Sequence, residues 1–192
     1  MTCVVKLGGS LLSQPDWPER FRNWFEQQAA DDYCLIVGGG GTIDAMRELD
    51  AVHPLSTAAM HWRCIRLLDA TFEVAAELLQ EATLAASISE LRNRLGDGNL
   101  GRKRLFLVRV AGYYTDSLAS SFDTVPPIGW ETTTDTLAVF LAKLIHVDRV
   151  VLLKSCTIAE GLKLADAAKQ GIVDSAVCSM ANGMQIELRQ LP

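Results

Sequence analysis

No stretch of the chain approaches the roughly 18–20 apolar residues that a membrane-crossing helix needs. The tightest apolar run, residues 137–144, is interrupted by Lys143. No membrane partner is therefore expected. The start, Met-Thr-Cys-Val-Val-Lys-Leu-Gly-Gly, lacks a basic segment followed by an apolar one, so no secretory leader is expected. A basic surplus is missing too: 18 Lys+Arg face 23 Asp+Glu, for a net charge of −5. Phosphate contacts dominate affinity for nucleic acid, so nucleic acid is not an expected partner. A small anion, in contrast, needs only a few local cations and backbone N–H groups. Cys3, Cys34, Cys64, Cys156 and Cys178 are odd in number, contain no CxxC pair and are not spaced with His53, His61 or His146 as zinc ligands are. Reduced, mostly buried thiols in a cytoplasmic protein are the expectation, with no metal site. The motifs GxSxG and HExxH are absent, which removes the support for common hydrolase chemistries.

What is present is an ordinary globular composition, 49% hydrophobic and 21% charged over 192 residues. By area scaling, a chain of this length buries about 70% of its extended surface, enough for one domain with its own core. Short apolar runs at residues 2–6, 33–37, 104–110 and 150–153 read as strands. Residues 175–180 are a further strand candidate, followed by an Asn182-Gly183 hairpin-type turn before residues 185–188. Between them lie predicted helices: residues 16–30, with Phe21, Trp24 and Phe25 on one face; a helix capped by Thr42 and broken by His53-Pro54; a long one from Ser56 to Leu79; then residues 87–95, 134–145 and 159–170. Gly96-Asp97-Gly98-Asn99 closes the fourth of these, and residues 122–133 read as loop. Strands alternating with helices predict an α/β fold, a three-layer αβα sandwich with a mainly parallel central sheet. Ligands collect beyond the carboxyl ends of such strands, here after Val5, Val37 and Leu153.

Those exits are chemically unusual. The first reads Lys6-Leu7-Gly8-Gly9-Ser10. A strand-end lysine is costly if buried unpaired, and two glycines with a hydroxyl can cradle an oxyanion. A tight turn beside a surface lysine is the plainer alternative. The second, Gly38-Gly39-Gly40-Gly41-Thr42, opens a helix whose free N–H groups favour an anion; a flexible loop also explains it. The third, Leu153-Lys154-Ser155-Cys156-Thr157, again closes a strand with a lysine and hydroxyls, either solvated or set to neutralise a moving phosphoryl group. A helix start, Trp130-Glu131-Thr132-Thr133-Thr134-Asp135, adds capping residues. Asp135 could hold a lysine such as Lys6, Thr133 and Thr134 could donate to a substrate oxygen, and Trp130 could form a pocket wall or a core-edge anchor. His61-Trp62 reads as packing or interface.

In order, Val4-Val5-Lys6-Leu7-Gly8-Gly9-Ser10-Leu11, Ile36-Val37-Gly38-Gly39-Gly40, Thr133-Thr134-Asp135-Thr136-Leu137-Ala138 and, more weakly, Val151-Leu152-Leu153-Lys154 resemble the amino acid kinase superfamily of acetylglutamate, aspartate and UMP kinases. The resemblance implies one kinase-like domain over residues 1–192, with an acceptor half to about residue 135 and a shortened nucleotide half beyond it. It implies that Lys6 contacts the transferred phosphoryl group and that Gly8, Gly9 and Ser10, with Lys154 and Ser155, line ATP. Gly38, Gly39 and Gly40 would bind the acceptor and Asp135 would position the lysines, while Mg²⁺ is held mainly by the nucleotide. Residues 126–135 and the His61-Trp62 helix are similar to a small archaeal-type group that includes the kinase of aminomethylfuran phosphate, in methanofuran-type one-carbon cofactor biosynthesis. Ser155-Cys156-Thr157-Ile158-Ala159-Glu160-Gly161 replaces the family's Asp-Gly turn, and a later ATP-binding lysine has no clear match. Two functions are therefore carried forward. One is an ATP-dependent kinase of a small phosphate- or carboxylate-bearing metabolite. The other is a ligand-binding or assembly protein on the kinase fold that has lost catalysis. A homodimer or higher homo-oligomer is expected, for which the apolar stripe on the long helix could serve, although burial under the sheet explains that stripe equally.

Overall fold

A computed structural model describes residues 1–97, 102–119 and 125–192. The predicted turn residues Gly98 and Asn99, and residues 122–124 of the predicted loop, lie outside the described residues. Six strands, β1 (Thr2–Leu7), β2 (Asp32–Val37), β3 (Thr83–Ala85), β4 (Arg104–Val108), β5 (Arg149–Lys154) and β6 (Gln185–Gln190), form one sheet in the order β3-β4-β2-β1-β5-β6. Every pairing is parallel. Helices α1 (Trp17–Glu26), α2 (Gly41–Val52), α3 (Thr57–Leu78), α4 (Ile88–Gly96), α5 (Asp116–Ala119), α6 (Thr134–Leu144), α7 (Leu164–Lys169) and α8 (Val177–Met180) flank it. This is the αβα sandwich expected from the alternation of runs.

The layers follow from strand parity. Val4, Cys34, Ile36, Phe106, Val150 and Leu152 face one core layer with α3 and α6. Cys3, Val5, Leu7, Leu35, Leu107, Val151 and Leu153 face the other, where α1 delivers Trp17, Phe21, Trp24 and Phe25. Strands buried on both faces read as continuous apolar runs, which is why β1, β2 and β5 show no alternation. Helix α6 is buried almost all round, as its composition demands. The stripe on α3 is used inside the chain: Met60, Ile65, Leu68 and Ala75 are buried.

The sheet places the three exits side by side. β1 lies between β2 and β5, with Leu7 opposite both Val37 and Leu153. Chain order reverses at β1, the point where parallel sheets collect ligands.

Several boundaries differ from expectation. Residues 175–180 are not a strand; Val177–Met180 is a short helix whose Val177 and Met180, three apart, are buried against α6. The Asn182-Gly183 turn therefore leads into a parallel strand rather than a hairpin, although Gly183 does adopt φ +76°. Helix α7 is shorter than predicted, because Gly161 at φ +73° interrupts its expected first turn. α2 begins at Gly41 rather than after a Thr42 cap. β3, three residues long, is too short to show a period and was not expected. All five cysteines are free; Cys3 and Cys34 are buried, Cys64 and Cys178 half-buried and Cys156 exposed. Burial pushes the Cys3 thiol up to about 11.

The α1 layer gives a direct stability test. Phe21 is fully buried, with Trp24 and Phe25 rings 5.8 and 6.3 Å away. Phe21→Ala is expected to cost about 3–5 kcal/mol in urea unfolding; a loss below about 1 kcal/mol would contradict the packing described.

Candidate active site

Lys6 and Lys154 share strand parity with Val4, Val150 and Leu152, so both project toward the α6 face. The first turn of α6 meets them there. Asp135 Oδ2 is 2.6 Å from Lys154 Nζ, and Oδ1 is 2.8 Å from Lys6 Nζ. The side chains are only 7% (Lys6), 10% (Lys154) and 4% (Asp135) exposed. The Lys6 contact is an ion pair off the hydrogen-bond direction, which leaves Oδ1 without an aligned donor. Burial pushes the Asp135 carboxyl up, but the two ammonium groups together outweigh it and hold the group below its ordinary value. Burial first, and then the like charge of Lys6, lower the Lys154 pKa despite the opposing pull of Asp135. Two buried cations thus share one anion, and each buried ion costs several kcal/mol unless compensated. The surplus positive charge favours an anionic guest.

The glycine turns complete the rim. A side chain on Gly9 would place its Cβ 2.1 Å from Gly40 N, and one on Gly40, itself at φ +53°, would lie 2.5 Å from Gly9 O. The first two exits therefore touch backbone to backbone, a contact only glycine permits. On the other side, Gly8 N–H donates to Leu153 O at 2.9 Å, and the Ser10 and Ser155 hydroxyls lie 2.7 Å apart. The expected ATP-lining residues Gly8, Gly9, Ser10, Lys154 and Ser155 are thus neighbours.

Above the turns opens a cleft of about 320 Å³. Lys6, Gly9, Gly38, Gly39 and Gly40 form its floor, with Trp130, Thr133, Thr134 and Leu137 on one wall and Ile43, His61, Ile65 and Leu68 on the other. Trp130 is clamped by α2: its indole N–H donates to Asp50 Oδ2 at 2.8 Å, and the Arg47 guanidinium sits 5.1 Å from the ring centre. It is a pocket wall rather than a core anchor. His61, read from sequence as packing or interface, is buried and ties this wall to α3. Its Nδ1 is 3.2 Å from both the N and O of Gly129, and Nε2 is 3.0 Å from the Tyr114 hydroxyl. Burial lowers its pKa.

Sequence reasoning missed Asp174, which accepts hydrogen bonds from the N–H groups of Thr133 (2.9 Å), Thr136 (3.1 Å) and Val177 (3.0 Å) and from both threonine hydroxyls. It also missed Arg47 and Asp50. No local motif marks them; only the fold brings them to the cleft. A second groove of about 540 Å³ lies beyond Ser155, between residues 158–164 and β6. Its Arg189 is paired with Glu187. Among the described residues no three His, Cys, Asp or Glu side chains gather as metal ligands, and no helix is long and apolar enough to cross a membrane.

No family profile matches the chain, and no curated protein is recognisably similar to it in sequence. Solved structures do match. Uridylate kinase from Archaeoglobus fulgidus has a TM-score of 0.60 at 15% identity, covering 99% of this chain and 91% of that one. UMP kinase from Ureaplasma parvum gives 0.60 at 13%, covering 99% and 88%. UMP kinase from Bacillus anthracis gives 0.67 at 11%, covering 99% and 87%. The chain thus shares the fold of these three kinases.

Asp135→Asn would leave two buried ammonium groups facing each other. A loss of about 3–5 kcal/mol near neutral pH is expected. A carboxyl whose pKa is depressed on folding stabilises above its unfolded value and ceases to do so as pH falls through its folded one. The gap between wild type and variant should therefore close below pH 3.8, the ordinary value for this group. Denaturant titrations across that range check it; a gap independent of pH would contradict the ion-pair assignment.

Proposed function

We propose that this protein is an ATP-dependent phosphotransferase acting on a small anionic metabolite. The γ-phosphoryl group moves in line onto a phosphate or carboxylate oxygen. One observation carries the reading: Asp135 joins Lys6 and Lys154 where three strand exits converge, and Lys6 lines the cleft there. Two anions repel as they approach, and fixed cations in a site shielded from water offset that repulsion without reorganising. Lys6 neutralises the transferring group, Lys154 the donor side, and Asp135 holds both amines. Gly8, Gly9, Ser10 and Ser155 receive the nucleotide, with Mg²⁺ arriving on its phosphates. Gly38, Gly39 and Gly40 receive the acceptor, against Trp130, Thr133 and Thr134. Rate comes from positioning and electrostatics, with no covalent intermediate.

The acceptor half is residues 1–135 and the nucleotide half residues 136–192. Aminomethylfuran phosphate, in a cytoplasmic one-carbon pathway, is the acceptor we favour. Its support is that His61, Gly129, Trp130, Thr133 and Thr134, from the segments similar to that kinase group, line the cleft. We also propose a homodimer or larger assembly. The inner stripe of α3 is already used, so its surface would come from exposed Leu49, Val52, Leu55, Val74 and Leu78.

One observation favours the second reading, a non-catalytic ligand-binding protein. Residues 155–161 supply no cation beyond Lys154, and the groove beside them holds an arginine already paired with Glu187. Mg-ATP at about 100 times its Kd would stabilise the fold by about 2.7 kcal/mol. A kinase is expected to show that rise in Tm; no rise with any nucleotide would favour the second reading.

Turnover is tested by ADP release over a metabolite panel containing phosphorylated furans and UMP. One acceptor should stimulate release, and Lys6→Ala should cut kcat on the order of 10²–10³-fold with the fold intact. Equal turnover by the Lys6→Ala protein would remove Lys6 from the chemistry.

A further inference from the structure

We propose that Asp174 is a positioning residue: it fixes the first turn of α6 and so sets the rotation of Asp135 between Lys6 and Lys154. The proposal rests on the phosphotransferase reading of that site. Thr133 and Thr136 bracket Asp135, and Asp174 grips both. Its Oδ2 accepts the N–H (2.9 Å) and hydroxyl (2.7 Å) of Thr133 and the N–H of Thr136 (3.1 Å). Its Oδ1 accepts the Thr136 hydroxyl and the Val177 N–H (3.0 Å). Five donors converge on a group with about four lone-pair sites, so the carboxylate is saturated and its place fixed.

Ordinary capping does not require this. A single hydroxyl at the helix start is the usual cap, satisfying one free N–H, and Thr133 already caps α6 in that way, accepting from Asp135 N. A carboxylate is also an unfavourable choice here. Burial pushes its pKa up, and Asp135 pushes it further. What the remote charge adds is a rigid tie across 38 residues of sequence, from the segment before α8 to the turn that carries Asp135. Around the Lys154 ammonium stand Lys6 from β1, Asp135 from α6 and, farther off, Asp174. Asp174 adds negative charge behind the pair while holding its anchor still.

The test is Asp174→Asn, which keeps shape but removes the charge and one acceptor oxygen. Two signals are read in the folded variant. The first is the titration of the Lys154 side chain by heteronuclear NMR, assigned with Lys154→Arg; it should move to lower pH. The second is kcat for ADP release, which should fall ~10–100-fold because reacting groups lose alignment, while the acceptor KM changes little. Should Asp174→Asn fail to fold, Thr136→Val removes a single hydroxyl donor from the same carboxylate and is read by the same two signals. Where wild type turns over, a kcat equal to wild type in the folded variant overturns the proposal. Where wild type shows no turnover, the kinase reading fails on its own, and the titration decides: a shift supports the positioning role, and an unmoved Lys154 overturns it.

Discussion

One carboxylate shared by two ammonium groups governs this molecule. Bringing Lys6 and Lys154 to the same face of adjacent strands puts two positive charges in a region nearly closed to water. Asp135 compensates one of them. The rest of the architecture can be understood as holding this arrangement: the parity of β1 and β5 aims the lysines, the all-round burial of α6 prevents its rolling, and the threonine-rich helix start is tied down from a distant segment.

Backbone contact is the second constraint. The glycines at the first two exits were expected to admit an oxyanion, and they also admit each other, since Gly9 and Gly40 leave no room for any Cβ between them. The two explanations are compatible. Turns that meet main chain to main chain bring Gly9, Gly38, Gly39 and Gly40 to the same cleft. The Ser10–Ser155 contact extends the same join toward β5. The first two exits are therefore joined by stiff backbone, and the third by a backbone hydrogen bond and a pair of hydroxyls.

Much of this was legible in the sequence because local chemistry and global position coincide. Lysines at the ends of apolar strands are costly if buried without a partner, and Lys6 and Lys154 share one at Asp135, while Lys6 lines the cleft with Gly38, Gly39 and Gly40. Asp135 was marked by its place in a capping segment. Asp174, Arg47 and Asp50 were not legible, because their meaning lies in partners that only tertiary structure supplies: two threonine hydroxyls for one, an indole for the others. The misread strand at residues 175–180 failed for a related reason. A short segment with Ala176, Val177 and Met180 fits a strand candidate, but the spacing of three between Val177 and Met180 serves a single helical turn against α6. His61 was read as packing or interface. It does pack, and it also holds the Trp130 wall in place.

The central position of β1 has a consequence for biogenesis. Its neighbour on one side, β2, leaves the ribosome soon after it, whereas its neighbour on the other, β5, begins only at Arg149. Until then a nascent chain carries an unpaired strand edge, and Lys6 waits for its counter-ion Asp135, which emerges only shortly before β5. Such distant parallel pairing is slow, and open edges invite aggregation. Completion of the sheet and neutralisation of Lys6 are thus late events of synthesis, and the Lys6–Asp135–Lys154 cluster doubles as the seam along which the fold finally closes.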